Sequence, residues 1–169
     1  MENYLFEEHA HHFAVWTAAR AVSRNFTTTL NVKNAIDSSG LRKFAGSLKE
    51  CSQNKFDKLH RDWASQIIKS LEASKAKGVS YGRAAKIISI YLKTSVVLVS
   101  KGLCQKSTVI HPPIDAILLG NLLSELPQLT YLKGVKWTQL DEEKYWELVA
   151  RLRKDLGRFD WKVEFYWKP

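Results

Sequence analysis

The sequence predicts a mostly α-helical single domain spanning residues 1–169, with at most a small β element at its C-terminus. Three observations carry that prediction. Apolar residues recur at helical spacing in segment after segment, glycines and prolines fall between those segments, and strict alternation appears only in the last ten residues. The chain has 169 residues, 45% of them hydrophobic and 25% charged, which suits a soluble domain with a real core.

Leu5, Phe6, Phe13, Trp16, Ala19 and Val22 predict a first amphipathic helix from Tyr4 to about Arg24. Asn31 is expected to cap a second helix through Ala35 and Ile36, which Ser38-Ser39-Gly40 ends. Leu41 to Leu48 reads as a short helix. Phe56, Leu59, Trp63, Ile67, Ile68 and Leu71 predict a long helix that starts at Asn54 or Asp57 and ends near Lys77-Gly78. The next begins at Ser80 or Tyr81 and runs through Ala84, Ala85, Ile87, Ile88, Tyr91 and Leu92. The following SVVLVS is ambiguous between helix and strand. Pro112 and Pro113 suit the first turn of a helix that carries Ile114, Ile117, Leu118, Leu122 and Leu123 and stops before Pro127. Thr138 or Asp141 caps the last helix, whose acidic start and basic end match the helix dipole. In FDWKVEFYWK, Phe159, Trp161, Val163, Phe165 and Trp167 alternate with polar neighbours, the pattern of a strand.

No run of about eighteen apolar residues appears, so no membrane partner is expected. MENYLFEEHAHH has no basic leader before an apolar core, which points to a cytoplasmic protein. Cys51 and Cys104 lack a CxxC spacing and read as reduced, buried thiols. His9, His11 and His12, with Glu7 and Glu8, resemble a metal tract, but no further ligands accompany them. They read as a solvated helix terminus, and neither a metal nor a cofactor is expected. His60 and His111 are remote from that tract; His111 either faces the pocket of Asp115 or caps its helix. Six tryptophans are read mainly as core, with one or two available to hold an aromatic ligand.

The net charge of +9 is unevenly placed. Residues 42–106 hold 14 Lys/Arg against 4 Asp/Glu, while the flanking segments are close to neutral. A concentrated basic region suits a phosphate-bearing partner. Within it, helix, Gly78-Val79-Ser80-Tyr81-Gly82 and helix form a helix-hairpin-helix pattern. Such a turn brings the backbone close to a neighbour and offers N–H groups to a phosphate. Lys75, Lys77, Arg83 and Lys86 surround it with positive charge, whereas an ordinary αα-hairpin is the plain alternative. Asp115, two residues after Pro113, is expected in the first turn of its helix, where N–H groups and the dipole favour negative charge. A carboxylate there can stabilise a developing oxocarbenium ion or activate water, or it can simply stabilise the helix end.

Together, GVSYGRAAKIISIYL and IDAILL resemble the helix-hairpin-helix DNA glycosylase superfamily, most closely its 8-oxoguanine branch. The resemblance covers roughly residues 56–124. It implies double-stranded DNA as partner, with a flipped base, and Asp115 as the catalytic carboxylate. It implies that Lys77, Gly78, Ser80, Gly82 and Arg83 contact the DNA backbone. Bifunctional relatives carry a lysine within GVGxK; aligned on Gly78-Val79, that position here is Gly82. Lys86, one turn on, is then an auxiliary cation or the one nucleophile candidate nearby. The implied activity is hydrolysis of the N-glycosidic bond of a modified or damaged base by a monomeric protein. A non-enzymatic DNA-binding protein and a helical protein-interaction module are the alternatives.

Overall fold

In the computed structural model, which describes residues 5–22 and 25–168, seven α-helices are joined by short 3-10 and π turns. They are α1 (Phe6–Ala21), α2 (Thr29–Ser39), α3 (Leu41–Gly46), α4 (Gln53–Ala73), α5 (Tyr81–Leu92), α6 (Ala116–Glu125) and α7 (Glu142–Leu156). Tyr4 and Arg24, the expected limits of the first helix, lie outside the described residues.

The architecture follows from how apolar α5 is. Ten of its twelve residues are buried, including Lys86 and Ser89. Gly82, Ala84, Ala85 and Ser89 are small, so neighbours approach its axis closely. It packs against α1, α4 and α7 and against the 3-10 turn Trp137–Gln139. His11 of α1 meets Tyr91 near the C-terminal end of α5. Phe26, just past α1, lies under Arg83 near the N-terminal end, so α1 and α5 run antiparallel. α2 packs on both α1 and α4, and the core runs continuously from Ala14 and Val32 to Leu152 and Val163.

Side-chain caps start α2 and α4 to α7. Thr28, not Asn31, caps α2 by accepting the Asn31 N–H at 3.2 Å. Ser52 and Ser80 cap α4 and α5, and Asp141 caps α7. The ambiguous SVVLVS continues α5 as a π turn at Lys93–Val97. Cys51 is buried, Cys104 half-buried, and both are free thiols.

Two expectations are corrected. Pro112 and Pro113 are not in a helical first turn; they lie in an irregular segment before it, and Asp115 is the N-cap of α6. The residue before a proline is pushed out of the helical region, and the Asp115 carboxylate supplies the stronger start signal. The tail is not a strand: among the described residues there is none, and Trp161–Tyr166 form a 3-10 helix. With no sheet edge to join, the backbone closes on itself, and Asp160 caps it by accepting the Lys162 N–H at 2.9 Å.

Candidate functional site

Gly82, Lys86 and Lys93 occupy one face of the α5 helix and its continuation, because residues four and seven apart stack above one another. That face looks at Trp137 and at the C-terminal tail. Gly82 lies so close to the 137–140 segment that its N–H donates to the Leu140 carbonyl at 3.0 Å. A Cβ added there would meet the Trp137 carbonyl oxygen at 1.9 Å. One turn on, the Lys86 ammonium sits 4.4 Å from the Trp137 ring centroid, within cation–π range. Two further turns along, Lys93 pairs with Glu164 at 2.6 Å and lies 5.5 Å from the Trp167 ring.

Asp115 meets this face from α6. Its Oδ1 accepts the Leu118 N–H at 2.9 Å, which starts the helix. Its Oδ2 accepts from the Lys86 ammonium at 3.2 Å and from the Trp167 indole N–H at 3.1 Å. Lys86 is 8% and Asp115 9% exposed, so the ion pair is desolvated beneath two indoles. The two catalytic candidates of the sequence are therefore in direct contact.

The backbone-contacting candidates are arranged otherwise. Lys77 and Gly78 are exposed at the tip of the turn, and Gly78 has a φ of 71° that favours glycine. Ser80 spends its hydroxyl capping Arg83, and Arg83 bends back to donate to the Gly78 carbonyl while stacking on Phe26. Gly82 does not face outward: it is buried, and its amide is consumed by Leu140, because close helix packing claims the position. Ser80 lies six residues from Lys86, about 9 Å along the helix axis. The groove of about 570 Å³ beside the turn carries Lys69 but also Glu72, Asp141 and Glu142. The positive charge free to meet a phosphate is at the tip, on Lys75 and Lys77.

Behind Asp115 runs a buried polar chain that anchors the His111-Pro112-Pro113 segment. Arg153 holds Asp57 with two bonds of 2.6 and 2.7 Å, and a guanidinium nitrogen lies 2.9 Å from His111 Nε2. Asp57 is farther from the same nitrogen, at 3.5 Å. Arginine only donates, so His111 Nε2 accepts and its proton is on Nδ1. From there the order is fixed: Nδ1 donates to the Tyr145 hydroxyl at 2.9 Å, which donates to His60 Nε2 at 3.5 Å. His60 Nδ1 then donates to the Tyr81 hydroxyl at 3.1 Å, which also accepts the Trp146 N–H at 2.8 Å. Burial, with the Arg153 cation, pushes the His111 imidazole down to about 4 against the pull of Asp57. Burial and then His111 hold His60 well below its ordinary value. Burial alone would raise the Asp57 carboxyl, but the bonds from Arg153 and Gln53 outweigh it and hold it well below the carboxylate range.

No family model, curated protein or solved structure matches the chain.

The histidine tract is not a solvated terminus throughout. His11 is buried, bonded to the Tyr91 hydroxyl at 2.8 Å and 3.1 Å from Asp37. Among the described residues no group of three or more side chains is placed to hold a metal, and no helix is long and apolar enough to cross a membrane. Sequence reasoning missed Trp137, Trp167, Lys93 and Glu164. Lys86 and Lys93, seven apart on an otherwise apolar helix, were the available signal. Nothing in the sequence distinguished the two indoles from the other four.

Proposed function

We propose that the chain is a helix-hairpin-helix DNA-binding protein that hydrolyses the N-glycosidic bond of a modified or damaged base flipped from the duplex. The observation that carries this reading is the Lys86–Asp115 contact at 3.2 Å, a cation and a carboxylate brought together from α5 and α6. In the reaction the bond from C1′ to the base nitrogen breaks, and water supplies the new oxygen at C1′ and the proton that leaves with the base. Asp115 Oδ2 offers negative charge to the oxocarbenium-like sugar, or accepts the water proton as the oxygen attacks. Lys86 fixes the orientation of that carboxylate, and Trp137 fixes Lys86. Lys75 and Lys77, at the tip of the turn, meet the phosphates, with Gly78 allowing close approach; such contacts position without reading sequence. The buried polar chain behind His111 holds the segment that presents Asp115.

The test uses duplexes carrying different damaged bases, followed by alkaline cleavage, with Asp115→Asn as control. The expected result is strand cleavage by the wild-type chain, lost in the variant. No cleavage of any duplex, or equal cleavage by the variant, sinks the enzymatic reading. Borohydride trapping decides whether a lysine forms a Schiff base.

The burial of Lys86 and Asp115 beneath Trp167 favours a second reading, a DNA-binding protein without chemistry. It expects duplex affinity that falls steeply with salt and is indifferent to Asp115→Asn.

A further inference from the structure

We infer that the C-terminal strap, residues 160–168, occupies the ligand position of the Lys86–Asp115 site, with the Trp167 indole standing in for a planar heteroaromatic ring that donates an N–H to Asp115. The inference rests on the reading of that pair as a functional site. The indole meets the site as such a ring would. Its N–H reaches the same Oδ2 that faces the ammonium, at 3.1 Å, and Lys93 lies 5.5 Å from its ring centroid. Trp137 covers Lys86 independently of the strap, so the site keeps an aromatic wall when the strap leaves.

The two halves of the strap are held differently. Its first half is anchored by apolar contact: Val163 is buried, and Trp161 lies so close to Gly102 that a Cβ there would meet the ring at 2.6 Å. Its second half, where Tyr166 and Trp167 are only partly buried against the core, is also held by charges and backbone carbonyls. Glu164 pairs with Lys93, Lys168 pairs with Glu125 at 2.5 Å, and the Asn121 amide donates to the carbonyls of Tyr166 and Lys168 at 3.0 and 3.2 Å. Phe165, between them, is 70% exposed. The Lys168–Glu125 pair is exposed, and such pairs hold weakly and are screened by salt, whereas Glu164 is the largely buried partner of Lys93. The strap therefore opens at Trp167 and Lys168 while Trp161, Val163 and Glu164 stay seated. Opening removes the indole from Asp115 Oδ2, the oxygen that also holds the Lys86 ammonium, and loosens that ammonium's hold.

The experiment measures acetylation of Lys86 by N-hydroxysulfosuccinimidyl acetate, mapped by mass spectrometry, in the wild-type chain and in Trp167→Ala and Trp167→Phe. Lys106, buried elsewhere in the fold, is the internal control. Trp167→Ala is expected to raise Lys86 labelling about tenfold, the factor that follows from losing one hydrogen bond to a charged group, with Lys106 unchanged. Trp167→Phe, which keeps a ring and loses the N–H, is expected between the two. Millimolar adenine should suppress the gain in Trp167→Ala, as should indole. Unchanged labelling of Lys86 in both variants overturns the inference. So does protection by indole but not by adenine, because the space is then only a hole shaped for tryptophan. If Lys86 and Lys106 rise together in Trp167→Ala, that variant has unfolded and Trp167→Phe decides. Labelling needs no DNA. A gain without base release leaves the strap standing and sinks the glycosylase reading, whereas base release with no gain does the reverse.

Discussion

The histidine–tyrosine chain and the Lys86–Asp115 pair are both buried polar clusters, yet they are built on different terms. In the first, His60 and His111 are 0% and 1% exposed, and each ring nitrogen has a protein partner supplied by α4, α5 or α7. Both imidazoles are fully engaged within the protein, so their role is to fix one arrangement of helices. In the second, Asp115 and Lys86 face each other from α6 and α5, and part of their cover comes from the last residues of the chain. Polar groups satisfied by long helices specify the fold. Polar groups covered in part by the half-buried Trp167 indole can be uncovered.

Acid breaks the comparison most strongly. Above pH 6.5 the imidazoles of His60 and His111 are neutral in both folded and unfolded chains. As pH falls from 6.5 towards 4, the unfolded chain takes up protons that the buried rings refuse, so stability is full above that window and lost within it. His111 alone, moved from 6.5 to about 4, accounts for on the order of 3 kcal/mol. Glu164, raised by burial, works in the opposite direction around its own value. Urea unfolding at neutral pH and near pH 4 measures the loss, and a flat profile removes the neutral-histidine account.

Asp57→Ala attacks the same chain at its charged end. It leaves the Arg153 guanidinium, which also touches His111, without its carboxylate, and should cost about 3 kcal/mol. A loss below about 1 kcal/mol by denaturant midpoint would class the pair with ordinary surface bridges. Gly82→Ala tests the other cluster through its wall. The added methyl collides with the Trp137 carbonyl, and such overpacking costs about 1–3 kcal/mol. Because Trp137 also covers Lys86, this variant should increase Lys86 labelling as well as lower the melting temperature; unchanged labelling would separate the wall from the site.

Much of this was legible in the sequence where a local signal sufficed. The long helices α4, α5 and α7 were written in apolar periodicity, and Lys86 and Asp115 were each marked as a charge on or beside an apolar helix. Their meeting was not, since 29 residues separate them and no local rule specifies that contact. The tail was misread because aromatic alternation satisfies a strand only if a partner edge exists, and that is a tertiary fact. Gly82 was assigned to a phosphate because a glycine after a turn has two causes, an approaching ligand or an approaching segment of the same chain. No local signal paired His60 with His111, although their rings lie 5.1 Å apart.

The smallest expected effect is the most discriminating. Removing one member of the Lys86–Asp115 pair strands the other in a desolvated site, so single variants confuse stability with function. The double variant Lys86→Met with Asp115→Asn removes both charges together. Methionine keeps much of the lysine stem's volume against Trp137, and asparagine keeps the N-cap to Leu118. Replacing a buried ion pair by groups of similar shape is close to neutral, so stability should change by less than about 1 kcal/mol. On the proposed reading, base release should in contrast vanish, while the duplex affinity it assigns to Lys75 and Lys77 should remain. A loss of several kcal/mol would mean that the pair specifies the fold as the histidine–tyrosine chain does, and the two clusters would no longer differ in kind.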